Sequence, residues 1–411
     1  MKLSFDNVGP FIGHNEIEID GITILAGVNG SGKSTCGKIL YCIFNCFQNI
    51  DEKISIERKR SINSFLRSYF LDSNTSRTKL RDINHFSEDI INNPDSFNYD
   101  DLNALFNYSI TREQYEYVKE KIEDSLRIDD STIRNRLLSD QIEYEFGKQF
   151  CNITSDNYAS VELKIHNNII AFNYGYSDAC VSDYFSISKN IFYFDDPNLI
   201  DYLDSGFRYY SSYDKSHQNT LLMKLNNRRN ENLSSVDHIL LDNKLLELDR
   251  KIQSVCDGDI VVSDKGDYLY YSDVFKSGLN ISNMATGLKS FALLKLLLKN
   301  GYLEEKGTVI FDEPEIHLHP EWQMAWAEII VLLNKIFGIH VLLSSHSSDF
   351  LLFLEFFSIK YGLKDVTRLY SLDKDENGLS KINDASTNWD IVYKKLGMPF
   401  IRINGELNKD D

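Results

Sequence analysis

The apolar positions at the start of the chain change period once, at a turn rich in glycine. Residues 2–7 and 14–27 read as strands, the second carrying Ile17, Ile19, Ile22, Ile24 and Leu25. Beyond the turn, Ile39, Leu40, Ile43 and Phe44 recur at helical spacing, so a strand is expected to run through the turn directly into a helix. Strand character returns at 160–174, where Val161, Leu163 and Ile165 alternate with Glu162 and Lys164 and Asn167-Asn168 marks a hairpin turn; the sheet is expected to resume there. Short apolar strands are predicted at 191–194, 307–313 and 339–344, the form of strands covered on both faces. Between 49 and 190, Asn-rich turns separate short amphipathic stretches such as 112–128 and 132–150. No heptads are sustained, which predicts a globular, mostly helical arm. No internal repeat stands out, and the tail from about 404 reads as a frayed end.

Composition narrows the class. The 411 residues suffice for one large domain with insertions or for two to three ordinary ones. Forty-four Lys plus Arg against 61 Asp plus Glu give a net charge of −17, which excludes a surface that embraces nucleic acid or anionic lipid as a whole and leaves only local patches. With 42% apolar residues and 12% aromatics the chain is not disordered, and no uncharged run is long enough to cross a bilayer. Asp6 interrupts the start before any apolar stretch of export-signal length, so a cytoplasmic location is expected. The six cysteines, at 36, 42, 46, 151, 180 and 256, form no CxxC pair and suit reduced, mostly buried thiols.

Candidate chemistry sits at strand ends. Gly27-Val28-Asn29-Gly30-Ser31-Gly32-Lys33-Ser34-Thr35 satisfies GxxxxGK[ST] between a strand and a helix. In such a loop, backbone N–H groups from Asn29 to Thr35 converge on phosphate oxygens, and the helix N-terminus adds positive potential. Lys33 reaches the β and γ phosphates, and Ser34 ligates Mg²⁺. Strand 307–313 ends in Asp312, suited to holding Mg²⁺ through its water shell, and Glu313, placed to orient or deprotonate an attacking water. Strand 339–344 leads to Ser345-His346-Ser347, which brings His346 to the same edge as a γ-phosphate sensor. His317 and His319 form a His-x-His pair, but no Cys or carboxylate cluster accompanies it to complete a tetrahedral metal site. Trp322 and Trp326, four apart after Pro320, read as a core or dimer face.

These residues together resemble the ABC-type ATPases, and most closely their SMC-like branch. Gly27–Thr35 looks like the Walker A loop, Met284–Ser290 like the signature, Asp312–Pro320 like Walker B plus D-loop, and Ser345–Ser347 like the switch histidine. Glu-Pro-Glu-x-x-Leu-His-Pro and the opening Asn7-Val8-Gly9-Pro10-Phe11 are similar to the OLD-related "AAA family" ATPases of bacteria, which include ATPase subunits of Septu- and PARIS-type anti-phage systems. The resemblance implies an α/β fold: a P-loop NTPase of ABC-type ATPase head, a mixed sheet flanked by helices, with a mostly helical insertion. It also implies ATP and Mg²⁺ as ligands and a head-to-tail homodimer or higher oligomer. Thr286 and Gly287 of one subunit would then complete the phosphate site of the other. The signature has Ala285 where a serine is usual, so Thr286 or Asn283 would have to substitute for it. At the position of the usual mid-domain glutamine stand Asp195-Asp196-Pro197, which either couple Mg²⁺ to the inserted chain or form a plain turn.

Gly287 lies 254 positions beyond Lys33, too many for a bare head. The expected division is 1–48, amino-terminal lobe with Walker A; 49–155, helical insertion; 156–195, head sheet; 196–245, second insertion; and 246–411, carboxy-terminal lobe with signature, Walker B, D-loop and switch histidine. Residues 53–81 carry a local balance of +6, and 215–229 carry Lys215, Lys224, Arg228 and Arg229 without an acid. These stretches would grip a nucleic-acid backbone or an acidic partner, or be solvated helix faces. No Toprim, HNH or ribonuclease pattern accompanies the ATPase motifs. The expected function is therefore an ATPase that dimerises around ATP and controls a separate effector protein, in anti-phage defence; the alternative is a DNA-binding repair or chromosome-processing ATPase.

Overall fold

The computed structural model describes residues 1–70, 77–94, 97–106, 109–155, 158–203, 216–226, 246–263 and 267–407. The strand expected over 14–27 is two strands, because Gly21 breaks it. Its φ is +65°, and a Cβ there would stand 2.4 Å from the Val366 carbonyl oxygen. β1 (Lys2–Asp6) and β2 (His14–Glu18) pair with each other, while β3 (Ile22–Gly27) turns away into a different sheet. α1 (Lys33–Phe47) follows β3 through the glycine turn.

The inserted chain is helical, as α2 (Ile50–Phe70), α3 (Arg77–Asn92), α4 (Tyr99–Leu105), α5 (Arg112–Arg127) and α6 (Asp130–Phe146). A Thr111–Gln114 capping box starts α5 and Asp129 caps α6, which accounts for the amphipathic stretches beginning where they do. Ile62, Leu66, Ile83, Val118 and Ile122 form a small core of their own, whereas Leu138 and Ile142 of α6 pack into the core around α1. α6 therefore belongs to the head as much as to the arm.

β4 (Tyr158–Ile165), β5 (Asn168–Gly175) and β6 (Asp178–Asp183) join the first two strands in an antiparallel sheet of order β2-β1-β4-β5-β6. The hairpin turn is His166-Asn167, one residue earlier than Asn167-Asn168, with His166 in the left-handed region and Ile165 opposite Asn168. β7 (Ile191–Phe194) leads to a 3₁₀ turn at Pro197–Leu203 and to α7 (His217–Asn226). Leu199, Ile200, Leu221 and Leu222 enter the largest core, so the described part of 196–245 is integral to the head; 204–215 and 227–245 lie outside the described residues.

β8 (Asp259–Val262), β9 (Tyr268–Tyr271) and β10 (Leu279–Asn280) make a small antiparallel sheet ahead of α8 (Thr286–Lys299). β11 (Thr308–Asp312), α9 (Pro320–Phe337), β12 (His340–Ser345), α10 (Ser348–Lys360), β13 (Thr367–Lys374), β14 (Ser380–Asp384) and α11 (Asp390–Leu407) complete the chain, α11 continuing past residue 404 as regular helix. The six-stranded sheet has the order β14-β13-β3-β12-β11-β7, parallel except for β14. Ile22, Ile24 and Ala26 face the core under α8 and α9, and Leu25 faces the core of α1, α6 and the five-stranded sheet. This is the expected mixed sheet flanked by helices, and both faces are covered, which explains the uninterrupted apolar runs. No helix among the described residues is long and apolar enough to cross a membrane.

Candidate functional site

At the carboxyl edge of the parallel strands, Asn29, Gly30, Gly32, Lys33, Ser34 and Thr35 line a cleft of about 480 Å³ together with Pro10, Asp195, Asp312, Glu313 and Ile316. This is where ligands of open α/β sheets collect. Ser31 is fully buried and forms the floor of the loop rather than its wall. Gly32, with φ +89°, precedes α1 and no side chain caps the helix, so the first-turn N–H groups open on the cleft. A Cβ on Gly32 would stand 2.6 Å from the Phe11 ring and 2.9 Å from Pro10, which explains why the Asn7–Phe11 segment accompanies the loop: it backs it.

Lys33 is 4% exposed, and its Nζ donates to the carbonyls of Gly27 at 3.0 Å and Val28 at 3.2 Å. It also lies 3.2 Å from Glu313 Oε1, and His346 Nδ1 lies 3.2 Å from the same oxygen without hydrogen-bonding geometry. Glu313 takes a left-handed backbone, φ +49°, held by its N–H donating to the Ser344 carbonyl at 3.1 Å and the Ser344 hydroxyl at 3.0 Å. Asp312 accepts from the hydroxyls of Ser344 and, at 3.0 Å, Tyr193. Burial, reinforced by the Asp312 charge, holds the Tyr193 phenol well above its ordinary range, so it stays a donor. Tyr193→Phe is expected to lower unfolding free energy by about 1 kcal/mol, the cost of leaving a half-buried acceptor short of a partner, read from the urea midpoint.

Glu315 is 4% exposed; its Oε1 accepts from the Ser345 hydroxyl at 2.5 Å and from the His346 N–H at 3.4 Å. Burial pushes its carboxyl up, and the Ser345 bond opposes this only in part. The segment 312–320 thus supports the His346 loop from beneath. Thr286 and Gly287 do not line the cleft. Ala285 caps α8 without a side-chain bond, and a Cβ on Gly287 would stand 3.0 Å from the His317 carbonyl oxygen and 3.2 Å from Trp322. His319 caps α9, accepting from the Glu321 N–H at 3.5 Å, and Trp326 packs edge-on against Phe291 in the core. No cluster of potential metal ligands occurs among the described residues.

Of the basic stretches, Arg58 pairs with Asp130, Lys59 with Glu88 and Arg60 with Glu57, while Arg67 donates to Asn84 and Lys79 to the Leu105 carbonyl. Lys224 donates to Asn190 at 2.7 Å; Lys215, Arg228 and Arg229 lie outside the described residues. Most described cations of 53–81 therefore serve the fold. Sequence reasoning missed Tyr193, Ser344 and the buried pair His217 and Glu145, none of which belongs to a local motif.

Residues 22–352 match the family described as "AAA domain, putative AbiEii toxin, Type IV TA system". A relative described as "Retron Vc95 probable ATPase", from Vibrio cholerae serotype O1 biovar El Tor, is 26% identical over 361 residues, covering 79% of this chain. The aligned part is 65% of that relative's own length. Solved structures similar to this chain include an SMC head bound to the C-winged helix domain of ScpA, at 12% identity and a TM-score of 0.45, covering 95% of this chain and 98% of that one. Another is the SMC head domain from Thermotoga maritima, at 10% identity and a TM-score of 0.40, covering 93% and 97%. The family match spans well over half of the sequence: the chain belongs to this AAA-domain family of ATPases.

Proposed function

We propose that the chain binds ATP with Mg²⁺ in the cleft between Asn29–Thr35 and Asp312-Glu313, hydrolyses it, and uses the cycle to control a separate effector protein in bacterial anti-phage defence. The observation that carries the reading is the convergence of Lys33, Ser34, Asp312, Glu313 and His346 at one sheet edge. Lys33 neutralises the β and γ phosphates, the loop amides bind their oxygens, and Glu313 orients the attacking water and takes its proton. Ser34 and Asp312 fit Mg²⁺, since the hydroxyls of Tyr193 and Ser344 steady the Asp312 carboxylate at the cleft. When bound, the ion neutralises charge on the transferred phosphoryl group. His346 senses the γ phosphate beside Glu313.

Thr286 and Gly287 lie outside their own chain's cleft, which supports a head-to-tail dimer in which the amino end of α8 meets the partner's nucleotide. The retron relative's description supports the defence assignment. The test is particle mass and turnover of the purified protein. ATP with Mg²⁺ is expected to double the mass where ADP does not, and specific activity is expected to climb with protein concentration. ATP bound without change of mass, at concentration-independent activity, rejects the sandwich. Full anti-phage protection from this gene alone rejects the separate effector.

A further inference from the structure

We propose that His217 is a positioning residue that ties the Asp195 carboxylate, at the wall of the nucleotide cleft, to Glu145 on the last helix of the insertion, so that the pose of α6 is transmitted to the site. The inference rests on the cleft's being a nucleotide site. His217 Nε2 lies 2.8 Å from Asp195 Oδ2 and Nδ1 lies 2.7 Å from Glu145 Oε2, while the His217 N–H donates to Glu145 Oε1 at 2.8 Å. The side chains of His217 and Glu145 are 7% and 2% exposed. A ring facing a carboxylate at each nitrogen can only donate twice, which fixes its orientation. The ring also stacks on Tyr193 at 4.5 Å, and Tyr193 holds Asp312.

α6 has a second handle on the site. Its Glu145 carbonyl accepts from Lys38 of α1, at 3.0 Å, one turn beyond Lys33 and Ser34. A buried His217–Glu145 pair, joined to a third charged group at the cleft wall, is a costly means of linking two segments that apolar packing would link as well. What the charges add is direction: a shift of α6 pulls Asp195 along one line. Because α6 also ends the arm formed by α2–α5, whatever moves that arm acts on the cleft, and nucleotide acts back on the arm by the same factor.

The experiment compares wild type, Glu145→Gln, Asp195→Asn and the double variant by ATP affinity, kcat and KM, and by hydrogen exchange of the peptide spanning 193–199 without nucleotide. Glu145 touches no cleft residue, yet Glu145→Gln is expected to lower kcat about 5–20-fold with KM little changed, and to raise exchange at 193–199 at least tenfold. In the Asp195→Asn background, Glu145→Gln is expected to add nothing. Multiplying effects on kcat, or unchanged exchange, would overturn the tie. If wild type neither binds nor hydrolyses ATP, the nucleotide reading falls, and the exchange arm still decides whether Glu145 holds Asp195. Should Glu145→Gln unfold at the assay temperature, His217→Gln serves the same comparison.

Discussion

Replacing Glu313 by Gln is expected to lower ATP turnover by about 10²–10⁴-fold while ATP affinity stays within a few-fold of wild type, as read from steady-state hydrolysis beside equilibrium nucleotide binding. That loss corresponds to about 3–5 kcal/mol of barrier, the ordinary yield of a well-placed general base. The carboxylate is placed by a left-handed backbone and two bonds to Ser344, and it faces both Lys33 and His346 at 3.2 Å. An amide keeps the shape but cannot take a proton. Binding survives because Lys33, Ser34 and Asp312 are untouched, and the stalled ATP form should accumulate as the assembled species. Turnover left near wild type would move the base elsewhere, with Asp195, the cleft carboxylate not assigned to Mg²⁺, next in line.

The second large effect is on stability against pH. Burial alone would push the His217 imidazole down, but its bonds to Asp195 and Glu145 outweigh burial and hold it at about 9, against 6.5 in an unstructured chain. Between those values the folded protein keeps a proton that the unfolded chain has lost. Stability from this group is therefore fully present below pH 6.5 and is lost as pH rises through 9, by about 3 kcal/mol in all. Asp195 works the opposite way: burial would raise its carboxyl, His217 more than offsets this, and its contribution disappears as pH falls through the acidic range. The buried thiols of Cys36, Cys42 and Cys256, raised by desolvation, begin to cost stability as pH approaches 9, but they do so equally in wild type and in a His217 variant and cancel in the comparison. Urea unfolding at pH 6.5 and 9 should show the drop in wild type and little of it in His217→Gln. Equal drops in both proteins would show that His217 is not the group responsible.

The central sheet and the two ends of the cleft were legible because each is local in sequence: a strand, a turn and a helix start in Ile22–Phe47, or a strand with its terminal acids in Thr308–Glu313. Gly21 looks in the sequence like part of a continuous strand, since periodicity carries across a single glycine whose surroundings are set by Val366, far away in the chain. Membership of the two sheets was not legible either, because pairing β1 with β4 and β3 with β12 is decided between segments that share no local signal. The same holds within the site. Tyr193 looks like any aromatic of a buried strand, and His217 and Glu145 acquire meaning only when three distant stretches meet. The basic stretch 53–81 shows the converse, since a charge run gives no hint that Asp130 and Glu88 will absorb Arg58 and Lys59.

The position of β3 between β12 and β13 has a consequence for synthesis. Ile22 pairs with Val341 and Thr367, about 320 and 345 residues later. At usual elongation rates of about 5–20 residues per second, the strand that leads into the glycine-rich loop waits some tens of seconds for either neighbour to be made. Until then its six buried residues have no sheet to enter, and the nascent chain holds an exposed apolar edge whose closure carries a large loop entropy. The helical arm, with its own core of near-neighbour contacts, can form meanwhile. Folding of this chain should therefore proceed from arm to head, with nucleotide able to stabilise only the last step.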